Sequence, residues 1–177
     1  SGVFQWVRKG GGLTFDYCDA MSVDDAGNCY LTGSFGLNDY YYYYYYGLEA
    51  TFSGITLYSV GEKDIYVAKY DASGYLLWIE QGNGNYQVKA TSIDNDDLGN
   101  AYITGFDVEG ATFDTIHLSS FPGGNGYFIA KCNSLGWQWA KTCNGTSSNY
   151  GYSVCVDLSG NVYAIGDFYD KAIFGTD

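Results

Sequence analysis

The sequence predicts an all-β protein of β-propeller-like repeats. The units are four-stranded antiparallel blades of about 61 residues, and just under three fit in 177 residues. Three observations carry this. Trp6, Trp78 and Trp139 each precede a Gly-Asn pair by 21 positions: Gly27-Asn28, Gly99-Asn100 and Gly160-Asn161. Phe52, Phe113 and Phe174 recur at steps of 61. The segments between are short β-branched and aromatic runs separated by Asp, Gly and Asn, with no sustained helical period.

In chain order, each unit opens on a Trp strand: GVFQW, GYLLW and GWQW. A hairpin follows, with SVDDAGNCY, SIDNDDLGNAY and CVDLSGNVY placing Asp and Asn at the turn, where they hydrogen-bond their own backbone. Its second strand carries Tyr30, Tyr102 or Tyr163, then Gly33, Gly105 or Gly166. The second hairpin is IYVAKYDASG or YFIAKCNSLG, with Lys69 matched to Lys131. Alternation puts Ile65, Val67 and Lys69 on one face, and Tyr66, Ala68 and Tyr70 on the other. Turns are predicted near 25–28, 71–74, 96–100, 133–136 and 158–161. The units divide as 1–73, with an insertion at 34–51, then 74–135, then a partial unit 136–177, all within one propeller-like domain. Gly10-Gly11-Gly12 and Gly123-Gly124 read as loops between strands.

The motifs D-x-x-G-N-x-Y-x-x-G and D-I-Y-V-A-K-Y-D-A-S-G-x-L-x-W resemble the SBBP-type β-propeller repeats of secreted bacterial proteins. The likeness covers nearly the whole chain outside residues 34–51 and carries no catalytic residues. It implies a bacterial surface or secreted protein in which propellers serve as scaffold or binding modules.

Composition narrows the partners. Eight Lys+Arg against 20 Asp+Glu give a net charge of −12, which repels nucleic acid and anionic membrane surfaces. No apolar run approaches a membrane span. The five cysteines contain no CxxC, and their odd number leaves at least one free or paired with another chain. Asn144-Gly145-Thr146 is a glycosylation sequon. These features lean toward an extracellular or cell-surface location.

Sequence supplies few candidates for chemistry. Asp94, Asp96 and Asp97 form the densest acidic cluster, readable as a hairpin turn or as a calcium loop; Leu98 occupies a slot where calcium needs an oxygen. Apart from calcium there, no cofactor is expected. His117 stands alone and aligns with Thr56, so it builds no zinc site. No nucleophile elbow, phosphate loop or singled-out carboxylate pair occurs. The recurring Trp and Phe read as inter-blade core. Trp137, Tyr150 and Tyr152 lie outside that recurrence and are the candidates for exposed sugar contacts. The insertion holds seven tyrosines: Tyr40, Tyr41, Tyr42, Tyr43, Tyr44, Tyr45 and Tyr46. They read as an aromatic protrusion for assembly or glycan contact, as a strand extension that packs, or as stand-ins for residues of unassigned identity.

Closure of a propeller takes four to eight blades. The chain opens on one internal strand and stops at another, so self-association or a longer multi-blade chain is expected. The expected function is a non-catalytic extracellular structural or adhesive repeat protein, a bacterial cell-surface or fibre-forming component acting through protein–protein assembly. The alternative is a carbohydrate-binding propeller module.

Overall fold

The computed structural model describes residues 2–36, 48–119, 124–145 and 147–174. They form antiparallel sheets and no helix, as the absence of helical periodicity predicts. The chain begins with β1 (Gly10–Gly11), β2 (Tyr17–Val23), β3 (Cys29–Gly36), β4 (Glu49–Phe52), β5 (Ile55–Tyr58), β6 (Lys63–Tyr70) and β7 (Leu76–Gly84). Next come β8 (Val88–Asn95), β9 (Ala101–Val108), β10 (Ala111–Phe113), β11 (Ile116–Leu118), β12 (Asn125–Asn133) and β13 (Gly136–Gly145). The last are β14 (Asn149–Val156), β15 (Val162–Phe168) and β16 (Ala172–Phe174).

Two four-stranded meanders are complete: β2-β3-β6-β7 and β8-β9-β12-β13. The hairpin β14-β15 matches the first two strands of each. Among the described residues the sheets close into neither a barrel nor a ring. The strands of Trp78 and Trp139, which open the second and third sequence repeats, therefore close the preceding sheets, whereas the expected GVFQW strand is corrected: Trp6 lies ahead of β1 and in no strand.

The meander turns share one device. In the first, the Gly27 N–H donates to the Asp24 carbonyl at 2.9 Å and the Asp24 N–H to the Asn28 carbonyl at 3.0 Å. Asp71/Gly74, Asp96/Gly99 and Asp157/Gly160 repeat the pattern. Gly27, Gly74, Gly99 and Gly160 all sit at φ between 78° and 84°, the left-handed position that ends a three-residue hairpin loop. Every turn falls where the Asp, Asn and Gly clusters predict it.

A second class of hairpin is invisible to that pattern. β4-β5 turns through Ser53 (φ 48°) and Gly54 (φ 90°), and β10-β11 through Asp114 (φ 56°). These hairpins leave their own sheets. β4 pairs with β1, β10 with β7, and β16 with β13. β7 and β13, the fourth strands of the two meanders, are thus extended by a strand that the chain supplies only after two strands of the next sheet. Gly10-Gly11 is accordingly a strand, which corrects its expected place in a loop. A Cβ at Gly10 would enter the ring of Phe52, and one at Gly82 would crowd Phe113. Glycine there lets the recurring Phe lie flat on the neighbouring strand.

The sheets stack face to face in series, and both faces of the first are buried. Ile65 and Val67 join Tyr30, Val88, Ala90, Ile103, Phe113 and Phe128 in a core between the first and second sheets. Tyr66, Ala68 and Tyr70 join Phe35, Ala50 and Phe52 in a second core toward β1-β4-β5. The alternation predicted for residues 65–70 is borne out, and it explains why a β-branched and aromatic run shows no polar face.

Phe52 and Phe113 are core residues, 5% and 0% exposed. Trp6, Trp78 and Trp139 are only half-buried. Trp78 packs against the first core and Trp6 against the second, so the tryptophans rim the core rather than fill it.

Candidate functional site

The residues that repeat most faithfully form one polar row. Asp96 Oδ1 accepts the N–H groups of Leu98 and Asn100, both at 3.0 Å. Its Oδ2 accepts Asn100 Nδ2 at 2.7 Å and the Tyr102 hydroxyl at 2.8 Å. Asp24 holds Ala26, Asn28 and Tyr30 in the same way, and Asp157 holds Ser159, Asn161 and Tyr163. One strand further on, Lys69 Nζ lies 4.6 Å from the Tyr30 ring centroid and 3.6 Å from Asp24. Lys131 lies 5.0 Å from the Tyr102 ring. Trp78 and Trp139, opposite these lysines, meet Tyr30 and Tyr102 at 6.1 and 6.2 Å between ring centroids.

These contacts set the charges. Burial raises the Asp24 carboxyl, but the Asn28 side chain and N–H, Lys69 and Tyr30 together hold it below the usual range. At Asp96, burial is outweighed by Asn100, Tyr102 and Leu98 in the same way. At exposed Asp157, the Asn161 side chain and N–H lower it directly. The row is a structural clamp: each carboxylate ties a turn to the strand that follows.

The acidic cluster divides accordingly. Asp96 is the clamp residue of its turn. Asp94 lies on β8, where its Oδ2 accepts the Val156 N–H of β14 at 2.8 Å. Asp97 is exposed beside a cleft of about 340 Å³ between the turns at 95–98 and 156–160. Two of the three carboxylates are therefore engaged by protein donors. Among the described residues no three His, Cys, Asp or Glu side chains gather as metal ligands.

The structure scatters the proposed aromatic contacts. Trp137 is 8% exposed. Its indole N–H donates to the Gln81 carbonyl at 2.8 Å, and its ring meets Phe113 edge-on at 4.6 Å. This corrects its expected exposure. Its position is shared with Leu76, so it recurs as a core site although the residue type changes. Tyr150 is half-buried against Phe106. Tyr152 is exposed and donates to Asp167 at 2.6 Å. Tyr40 to Tyr46 lie outside the described residues. Asn144 lies on β13 opposite Ile173, but its side chain and Thr146 also lie outside them. His117 is exposed and pairs with Thr112, just as Thr56 pairs with Thr51, which bears out their alignment. None of the five cysteines is in a disulfide; Cys18 and Cys155 are exposed.

Two surface features were not singled out from sequence. The first is a groove of about 460 Å³ between the segment 6–18 and strands β3 and β6. Trp6, Tyr17, Tyr66 and Tyr70 line it together with Arg8, Lys9 and Asp16. The Tyr66 hydroxyl donates to the Tyr17 carbonyl at 3.0 Å, and Arg8 Nε to the Gly74 carbonyl at 2.7 Å, which fixes its walls. Burial raises the Asp16 carboxyl, against the Gly12 N–H that it accepts. Arg8, the sole arginine, so near Trp6 was the available signal.

The second feature is the surface of β15. Tyr163 and Ile165 are 55% and 66% exposed, whereas Tyr30, Tyr102, Thr32 and Thr104 at the matching positions are at most 2% exposed. In the first two sheets a third strand, β6 or β12, covers this edge, and β8 or β14 covers the face.

No protein-family model matches the chain, and no curated protein matches it.

Proposed function

We propose that this chain is a non-catalytic structural or adhesive repeat protein of a bacterial surface or extracellular fibre, acting through protein–protein assembly. In this reading the three units are successive propeller-like blades, the SBBP-type likeness is one of kinship, and no residue is catalytic and no cofactor is needed. The observation that carries it is the serial stacking of the repeats: the first complete sheet buries one face against the second sheet and the other toward β1-β4-β5. Units that bury their faces against neighbours of the same kind are the building principle of repeat arrays. The test is size: natively purified material should run well above 19.4 kDa. A monodisperse, folded particle of one chain would overturn the reading.

The groove beside Trp6 supports one other reading, a carbohydrate-binding module. It sets aromatic faces beside Arg8, Lys9 and Asp16, the mixture that stacks on a sugar and orients its hydroxyls. Titration with glycans while following tryptophan fluorescence discriminates the two. Saturable quenching that Tyr17→Ala removes would favour the lectin, and a flat titration would exclude it.

A further inference from the structure

The register of the β4-β5 hairpin fixes which way its main chain points. Phe52 faces Ile55 and Ala50 faces Leu57 across the two strands, and just beyond them the Ser59 N–H donates to the Leu48 carbonyl at 2.7 Å. The main-chain groups of Ile55, Leu57 and Ser59 therefore point at β4, and those of Thr56 point away from it. So does the Tyr58 N–H, whereas the Tyr58 carbonyl accepts Gln81 Nε2 at 2.7 Å. Among the described residues no strand pairs with this outer edge of β5. It is the outermost place of a whole sheet. β11 holds the same place in the six-stranded sheet, and His117 and Ser119, matched to Thr56 and Tyr58, are exposed there as well.

Edges are ordinarily guarded by charge, proline or a bulge. Residues 50–61 contain neither a charged residue nor a proline, in a chain of net charge −12, and the β4-β5 ladder has no bulge. β11 is shorter and sets His117 at its centre. On β5, Ile55 and Tyr58 are 47% and 64% exposed. Ile55 and Leu57 share the face of Ala50 and Phe52, and Thr56 lies on the other, its Oγ1 2.9 Å from Thr51 Oγ1.

We propose that β5 is a homotypic docking edge: two copies of this chain pair their β5 strands antiparallel about a two-fold axis at Thr56. The inference deepens the assembly reading and rests on it for its biological setting. In this register Thr56 exchanges two main-chain hydrogen bonds with Thr56 of the other copy, and each Tyr58 N–H meets the opposite Gly54 carbonyl. Ile55 of one copy stands opposite Leu57 of the other, twice, in the closer kind of antiparallel pair. The Thr51–Thr56 contact becomes a row of four threonines across two chains. A second copy is the occupant for two reasons. The segment is self-complementary, with an apolar residue on either side of Thr56, and an uncharged strip is where two strongly acidic chains can approach. The joint extends a sheet by edge addition, as β4 already does on β1. It is small, so the pairing depends on concentration.

Amide hydrogen exchange, read residue by residue by NMR on the whole chain, compares a dilute with a concentrated sample. Exchange at Thr56 and Tyr58 should slow at least about tenfold on concentration, while Ile55 and Leu57, already bonded to β4, should not change. Thr56→Pro removes an N–H that the hairpin does not use, and proline is tolerated on a sheet edge. This variant should melt close to the parent and lose the concentration dependence. Tyr58→Lys alters an exposed side chain and sets a cation on the edge of each copy; it should weaken association at least about tenfold by sedimentation. It decides the question if the proline disturbs the hairpin. Exchange at Thr56 that ignores concentration, whether fast or slow, would overturn the inference. So would slowing at 116–118 in step with 55–58, which means β5 meeting β11 head to tail, or variants that associate like the parent. Large particles in which Thr56 still exchanges fast would sink this edge and leave the assembly reading standing.

Discussion

Removal of the Asp96 carboxylate tests whether the repeated clamp stabilises the fold through burial. Asp96→Ala strips four donors of their acceptor. The Leu98 N–H lies in an open turn and recovers water at little cost. The other three belong to Asn100 and Tyr102, which are 6% and 2% exposed. A buried polar group left unpaired costs about 1–3 kcal/mol. Allowing for the partial exposure of Asp96 itself, the loss should be about 3 kcal/mol. In a domain of this size that lowers the melting temperature by about 6–12 °C. Asp157→Ala deletes the same four bonds, but Asn161 and Tyr163 are exposed, so its melting point should stay close to the parent's. Thermal unfolding followed by circular dichroism compares the two. Equal losses in both variants would refute the argument, as would an Asp96→Ala protein that melts like the parent.

Trp137→Ala should cost about 3–5 kcal/mol in urea unfolding, and half-buried Trp78→Ala about half as much. Lys69→Met should cost about 1 kcal/mol, because it removes the cation over Tyr30 while Asp24 stays partly buried. Stability should fall with acid. Asp24 and Asp96 are held below their unfolded value of about 3.9, so the unfolded chain binds protons first and the clamp's contribution disappears as pH falls through their folded values. Burial raises Asp64, against the Val60 and Gly84 N–H groups it accepts; it acts in the opposite sense, costing stability as pH rises above about 4. Urea midpoints between pH 3 and 6 should show the acid limb, and Asp96→Ala should flatten it. A thiol reagent should label Cys18 and Cys155 in the native protein, and Cys29, Cys132 and Cys143 only after unfolding. Burial of Cys132 holds its thiol protonated and unreactive.

The meanders and their turns were legible because each rests on local chemistry. Asp and Asn that cap their own turn, Gly at a left-handed position and a period of two are all properties of neighbours in sequence. What was not legible is non-local. The hairpins β4-β5 and β10-β11 have strands of three or four residues, too short for a period to register. Nothing in Phe52 or Phe113 announces that its strand turns back to pair with the strand residues that follow the Trp at the start of its own repeat. Trp137 misled for a related reason. The residue type breaks the repeat, but its position, shared with Leu76, keeps it, and position decides burial. The groove at Trp6 joins residues 6–18 to residues 66 and 70, and no local pattern connects them.

The borrowed hairpin bears on how such a chain changes length in evolution. Among the described residues each repeat carries an edge strand near its start and, later in the same repeat, a short strand that hooks back onto that edge. Recombination that duplicates or deletes one block of 61 residues would therefore leave each remaining hook facing a matching edge. The same stitch opposes stepwise loss. A sheet cannot come apart alone, because its outermost hairpin is covalently part of its neighbour. A pulling force should meet the array as one fabric rather than as separable beads.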